Sequence, residues 1–167
     1  MADDAREEFE LSLKKTLLKL KSKGLELKLK EQQIEAVKQL YERKDLVAIL
    51  PTGFGKSLIF QLLVLMAQNN EQTEAACVLV IAPLTSIIND QIVDVETMGL
   101  SACNLVEKLE NLSEIEEGRF AIVYASAESA IDKKFLQSLK KDTVFSRGLV
   151  ACVVDESHTI ETWTGLR

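Results

Sequence analysis

The apolar positions of this chain fall into two kinds of pattern. Phe9, Leu11, Leu13, Leu17, Leu18 and Leu20 recur at mostly helical spacing over residues 4–22, with lysines at 14, 15, 19, 21 and 23 between them. This predicts an amphipathic helix within residues 1–24 that stops at Gly24, a residue suited to the left-handed turn that ends helices. Its lysine cluster reads as a solvated face. A second helical pattern spans residues 31–43, with Ile34, Val37, Leu40 and Tyr41 on one side.

The pattern then changes period. "LVAIL" (46–50), "CVLVIA" (77–82), "FAIVYA" (120–125) and "LVACVVD" (149–155) are short, continuous, β-branched runs, with "ACNLV" (102–106) as a weaker fifth. Such runs read as strands buried on both faces. Helices fit at 56–68, 86–98, about 111–117 and about 129–140. Strands that alternate with helices imply an α/β domain whose parallel sheet is flanked by helices. Pro51 and Pro83 each follow the end of an expected strand, where open α/β sheets place their ligands.

Composition narrows the picture. A chain of 167 residues supports one sizeable core, so a second full domain does not fit. The net charge of −6 encodes no global pull toward a polyanion, and any nucleic-acid or phosphate site must be local. Cys77, Cys103 and Cys152 stand in apolar or small-residue surroundings, which predicts buried, reduced thiols and a reducing compartment. The N-terminus has no basic start followed by an apolar stretch, and no run approaches the ~18 apolar residues of a membrane span. A soluble, intracellular protein is expected.

The chemistry concentrates in two places. "LPTGFGKS" (50–57) lies between an expected strand and an expected helix. A phosphate-binding loop needs glycines that let backbone N–H groups converge on an anion, a lysine for the outer phosphates and a hydroxyl for Mg²⁺. Thr52, Gly53, Phe54, Gly55, Lys56 and Ser57 supply that set, although Leu50 stands where the strict pattern has its first glycine. Roughly 100 residues later, "VVDESH" (153–158) sets two carboxylates at the end of an apolar strand. Asp155 suits a Mg²⁺ ligand and Glu156 suits the group that orients or deprotonates water. His158 is the only histidine and reads by itself as a local hydrogen-bonding group.

Taken together, these residues resemble the first motor domain of a superfamily 2 helicase, and most closely the RecQ-like DNA helicases. "LPTGFGKS" resembles that family's phosphate loop, in which a non-glycine residue at the Leu50 position is usual. "DESH" resembles its D-E-x-H box, and "IAPLTSIINDQI" (81–92) its motif Ia, with Pro83, Leu84, Ser86, Asp90 and Gln91 in matching places. "LKEQQIEAV" (29–37) resembles the segment that reads adenine, with Gln33 on the family's glutamine and Lys30 where an arginine usually stacks on the base. Glu26 stands where that segment carries an aromatic residue. "YASAES" (124–129) resembles the family's Y-x-[ST]-P-E turn, with Ala127 in place of proline. "TIETWTGLR" (159–167) resembles the loop that couples DNA binding to hydrolysis, with Trp163 as a base-stacking or coupling residue.

The resemblance implies a RecA-like fold over residues 25–167, ATP and Mg²⁺ as cofactors, and single-stranded or forked DNA as partner. DNA would meet Pro83, Ser86 and Gln91 of motif Ia and His158 and Trp163 after the box. The implied activity is ATP-driven strand separation of 3′–5′ polarity, in the nucleus of a eukaryote or otherwise in the cytoplasm. The resemblance also implies a further S-A-T strand and a second motor domain, neither of which these residues carry. The expectation is therefore an incomplete sheet that binds ATP but does not unwind DNA alone. Two other readings remain open: a non-catalytic nucleotide-binding module, and a motor acting on RNA or on duplex DNA.

Overall fold

The leucine and lysine pattern at the N-terminus forms helix α1 (Ala2–Ser22), and its end is closed by Leu25 N–H donating to Leu20 O at 3.0 Å. The structure is a computed structural model that describes residues 2–69, 75–82 and 85–156. These group into two compact units, Met1–Glu74 and Ala75–Arg167.

The first unit holds α1, α2 (Glu31–Tyr41) and α3 (Lys56–Gln68). Their apolar faces are buried: Phe9 and Leu20 of α1, Val37 of α2, and Leu62, Val64 and Met66 of α3. The Phe9 ring meets Tyr41 edge-on at 5.6 Å, which joins the first turns of α1 to the end of α2. The burial of α3 on most of its sides follows from its composition, since "LIFQLLVLMA" offers almost no polar stripe.

The second unit is built on four parallel strands, β1 (Cys77–Ile81), β2 (Ala102–Asn104), β3 (Ile122–Ala125) and β4 (Leu149–Val154), in the order β2-β3-β1-β4. Helix α4 (Thr85–Thr97) connects β1 to β2, and the short helices α5 (Leu105–Lys108) and α6 (Ser113–Glu116) lead to β3. The return to β4 runs through α7 (Ala127–Ala130), α8 (Lys133–Lys140) and α9 (Val144–Gly148). Strand residues alternate between faces, so Cys77, Leu79, Cys103 and Val123 share one core with Phe135 of α8 and Phe145 of α9. The two rings lie 6.3 Å apart.

Three features depart from the sequence expectation. The single helix expected near 129–140 is two, because the Asp132 carboxylate accepts from the N–H groups of Lys134 and Phe135 and starts α8 afresh. The strand expected at 46–50 does not form. Val47 is 86% exposed and Ile49 is 91% exposed, and no described segment offers this run a ladder. A β-branched run favours extended backbone, but a strand exists only with a neighbour, and propensity alone does not replace one. The third departure is Cys152, which is exposed rather than buried. It sits on β4, an edge strand of the described sheet.

Cys77 and Cys103 are buried as expected, and burial pushes each thiol up to about 12. Both are therefore neutral core residues near pH 7, not nucleophiles. Among the described residues no helix is long and apolar enough to cross a membrane.

Candidate nucleotide and nucleic-acid sites

The sequence between α2 and α3 folds into a tight loop for local reasons. Phe54 N–H donates to Pro51 O at 3.1 Å and closes a turn whose third residue, Gly53, has φ of 77°. A turn with positive φ at that position calls for glycine. Gly55 then caps α3 with φ of 88° and ψ of 41°, and Leu58 N–H donates back to its carbonyl at 3.2 Å. Lys56 and Ser57 are thereby the first two residues of α3. The first-turn N–H groups of a helix have no partners within it, and they carry the positive end of its dipole. The loop thus presents amides, an ammonium group and a hydroxyl at one helix start, the arrangement that receives a phosphate chain.

Two residues at the start of α2 fasten to this loop. Gln33, 3% exposed, donates from Nε2 to Phe54 O and to Gly55 O, both at 3.1 Å, and accepts at Oε1 from Lys30 N–H at 2.9 Å. Lys30 Nζ donates to Phe54 O at 3.3 Å and lies 4.0 Å above the Phe54 ring centre. Lys30, Gln33 and the loop from Pro51 to Ser57 therefore form one cluster in the first unit. The Pro51 carbonyl is the member that motif reading passes over. The signal for the turn was Gly53, since glycine at the third position of a turn supplies the positive φ it needs.

In the second unit, Asp155 follows β4 directly and its N–H extends the ladder by donating to Ile81 O at 2.9 Å. Its Oδ1 accepts from Glu156 N–H at 2.9 Å, and Glu156 has φ of 51°. Both side chains are half-buried at a strand's carboxyl end. A carboxylate offers about four lone pairs, so a hydrogen bond to one oxygen leaves hard donors for a metal. Among the described residues no cluster of three metal-ligating side chains occurs. Mg²⁺ is ordinarily held by one or two carboxylates together with phosphates and water.

The motif Ia residues are spread more widely. Ser86 lies in the first turn of α4 and Gln91 further along it, half-buried, with Oε1 lacking a hydrogen-bond partner among the described residues. Pro83, His158 and Trp163 lie outside the described residues. The "YASAES" segment forms a cap, in which Ser126 Oγ accepts from Ser129 N–H at 3.2 Å at the start of α7.

Comparison with known proteins places these features in a family. The model of the DEAD/DEAH box helicases matches residues 30–167. The chain is 35% identical over 129 residues to ATP-dependent DNA helicase Q-like 4B of Arabidopsis thaliana, covering 71% of this chain and 10% of that protein. It is 31% identical over 143 residues to ATP-dependent DNA helicase RecQ of Bacillus subtilis, covering 81% and 22% respectively. The R290 protein of Acanthamoeba polyphaga mimivirus, named provisionally as an ATP-dependent RNA helicase, is 29% identical over 136 residues, covering 79% and 23%. The chain therefore spans less than a quarter of the length of these relatives. With a parallel sheet, a glycine loop opening a helix and a D-E-x-H box inside the matched range, this chain belongs to the DEAD/DEAH box helicases and resembles their RecQ-type members.

Proposed function

We propose that this chain is the ATP-binding motor domain of a RecQ-like DNA helicase, using Mg²⁺·ATP hydrolysis to drive 3′–5′ strand separation within the longer protein its relatives represent. The observation that carries this reading is the loop at 51–57, where positive φ at Gly53 and Gly55 delivers Lys56 and Ser57 to the start of a 13-residue helix. Amides of Gly53 and of residues 55–57 would cradle the phosphates, Lys56 would neutralise the outer two, and Ser57 and Asp155 would hold Mg²⁺. The metal would withdraw charge from the phosphate oxygens as the bond breaks. Glu156 would orient the attacking water and accept its proton. Pro83, Ser86, Gln91, His158 and Trp163 are assigned to single-stranded or forked DNA and to its coupling with hydrolysis.

Phosphate release tests this assignment. With single-stranded DNA present, Glu156→Gln should lower release by at least about 100-fold, the usual worth of a general base, while ATP affinity stays within about threefold of wild type. Release by this variant at the wild-type rate would remove Glu156 from the mechanism. Stimulation by single-stranded RNA and not by DNA would favour the RNA reading that the R290 likeness supports. ATP binding with no release by wild type or variant would favour the non-catalytic module.

A further inference from the structure

We infer that helix α1 carries a self-association surface, and that two copies of this chain pair through it as an isologous, antiparallel dimer. All the residues concerned lie in the first unit.

Phe9, Leu13 and Leu20 bury one side of α1. The other side carries Glu7, Leu11, Lys14, Leu18 and Lys21, all exposed and spaced by four, three, four and three residues. That spacing is the seam of a helix that packs along another helix. Leu11 and Leu18 are 55% and 58% exposed and stand two turns apart on the seam. Leu18 also lines a groove of about 650 Å³ between α1 and α2, whose other apolar walls are Leu13, Leu17, Leu27 and Ile34. The two leucines and the groove together make an apolar strip long enough for a second helix to cover.

Charge decides which helix covers it. Residues 3–10 hold five carboxylates and one arginine, whereas residues 14–23 hold five lysines and no carboxylate. A parallel pair would set Glu7 on Glu7 and Lys21 on Lys21. An antiparallel pair with Leu11 opposite Leu18 brings Glu7 of each copy beside Lys21 of the other, and a two-fold axis makes every such contact twice. Lys21 donates to Glu26 at 2.8 Å and keeps two further donors for the second copy. Lys14 falls near the axis, where its stem can pack while its ammonium group reaches solvent. A second copy of this chain therefore supplies both the apolar contact for the leucines and the opposite charge for each half of the helix. A nucleic-acid backbone would satisfy the lysine half alone and leave Leu11 and Leu18 exposed.

Sedimentation equilibrium of the full 167-residue chain tests the dimer. Wild type should show a reversible monomer–dimer equilibrium. A chain that stays monomeric at roughly 100 µM, where weak interfaces still form, overturns the inference and leaves the lysine half to a nucleic-acid backbone. Leu18→Asp should weaken the dimer by about tenfold or more while the thermal melt of the dilute chain stays at its wild-type position, since a side chain 58% exposed adds little to the monomer. Glu7→Lys and Lys21→Glu should each weaken the dimer by about tenfold, because two opposite-charge contacts become two like-charge ones. An equimolar mixture of these two variants restores both contacts and should return to within about threefold of wild type. A mixture no stronger than either variant alone overturns the antiparallel pairing and the inference with it. Association that all three substitutions leave unchanged places the contact elsewhere, such as the edge strand β4, and overturns the inference equally.

Discussion

Lys56→Ala is expected to weaken Mg²⁺·ATP binding by roughly 10- to 100-fold while leaving the fold intact. A hydrogen bond to a charged group contributes about 1.5–3 kcal/mol, and each 1.4 kcal/mol is a factor of ten in affinity. The effect should be at the upper end here, because the chain carries a net charge of −6 and its overall field opposes a polyphosphate. Local cations must supply what the whole protein does not. Lys56 stands at the first position of α3, where its charge adds to the helix dipole and to the amides of the loop. Lys44→Ala is the matched control, since Lys44 is exposed, pairs with Glu42 and lies away from the loop in sequence. Calorimetric titration of both variants separates a local phosphate contact from a general change in charge.

Phe135→Ala is expected to cost about 3–5 kcal/mol of stability, the usual penalty for emptying a buried aromatic site. Phe135 is fully buried, packs beside the Phe145 ring at 6.3 Å, and shares a core with Leu79 and Val123 of the sheet. The short helices α8 and α9 have few other apolar anchors, so the sheet face beneath them depends on these two rings. Domains of this size are stable by only about 5–15 kcal/mol, and the variant should lose much of its thermal margin. Leu136→Ala, one residue along the same helix but 40% exposed, should change stability by less than about 1 kcal/mol. Thermal melts of the two variants, followed by circular dichroism, check the contrast.

The elements that were legible in the sequence are those whose signal is local. Helix α3 was expected at 56–68 and runs from Lys56 to Gln68, because Gly55 stops one conformation and a long apolar run begins another. Strands β1, β3 and β4 were legible for the same reason, as continuous apolar runs bounded by polar residues. What was not legible depends on partners. The run at 46–50 has the composition of a strand, yet Val47 and Ile49 face solvent because nothing described pairs with them. Cys152 lies in an apolar run but on an edge strand, so its neighbours in sequence misreport its neighbours in space.

The candidate site divides in the same way. Residue types and spacing located Gly53, Gly55, Lys56 and Ser57, since a phosphate loop is a local structure with local requirements. The partners of Gln33 were not accessible to pattern, because they depend on where α2 lies against the loop.

The structure of this chain bound to Mg²⁺ and a non-hydrolysable ATP analogue tests the central assignment most directly. The expected result is the β- and γ-phosphates within hydrogen-bonding distance of Lys56 Nζ and of the backbone N–H groups of Gly53 and of residues 55–57, with Ser57 Oγ on the metal. An analogue seated elsewhere, or a triphosphate that leaves the Gly53–Ser57 amides untouched, would contradict it.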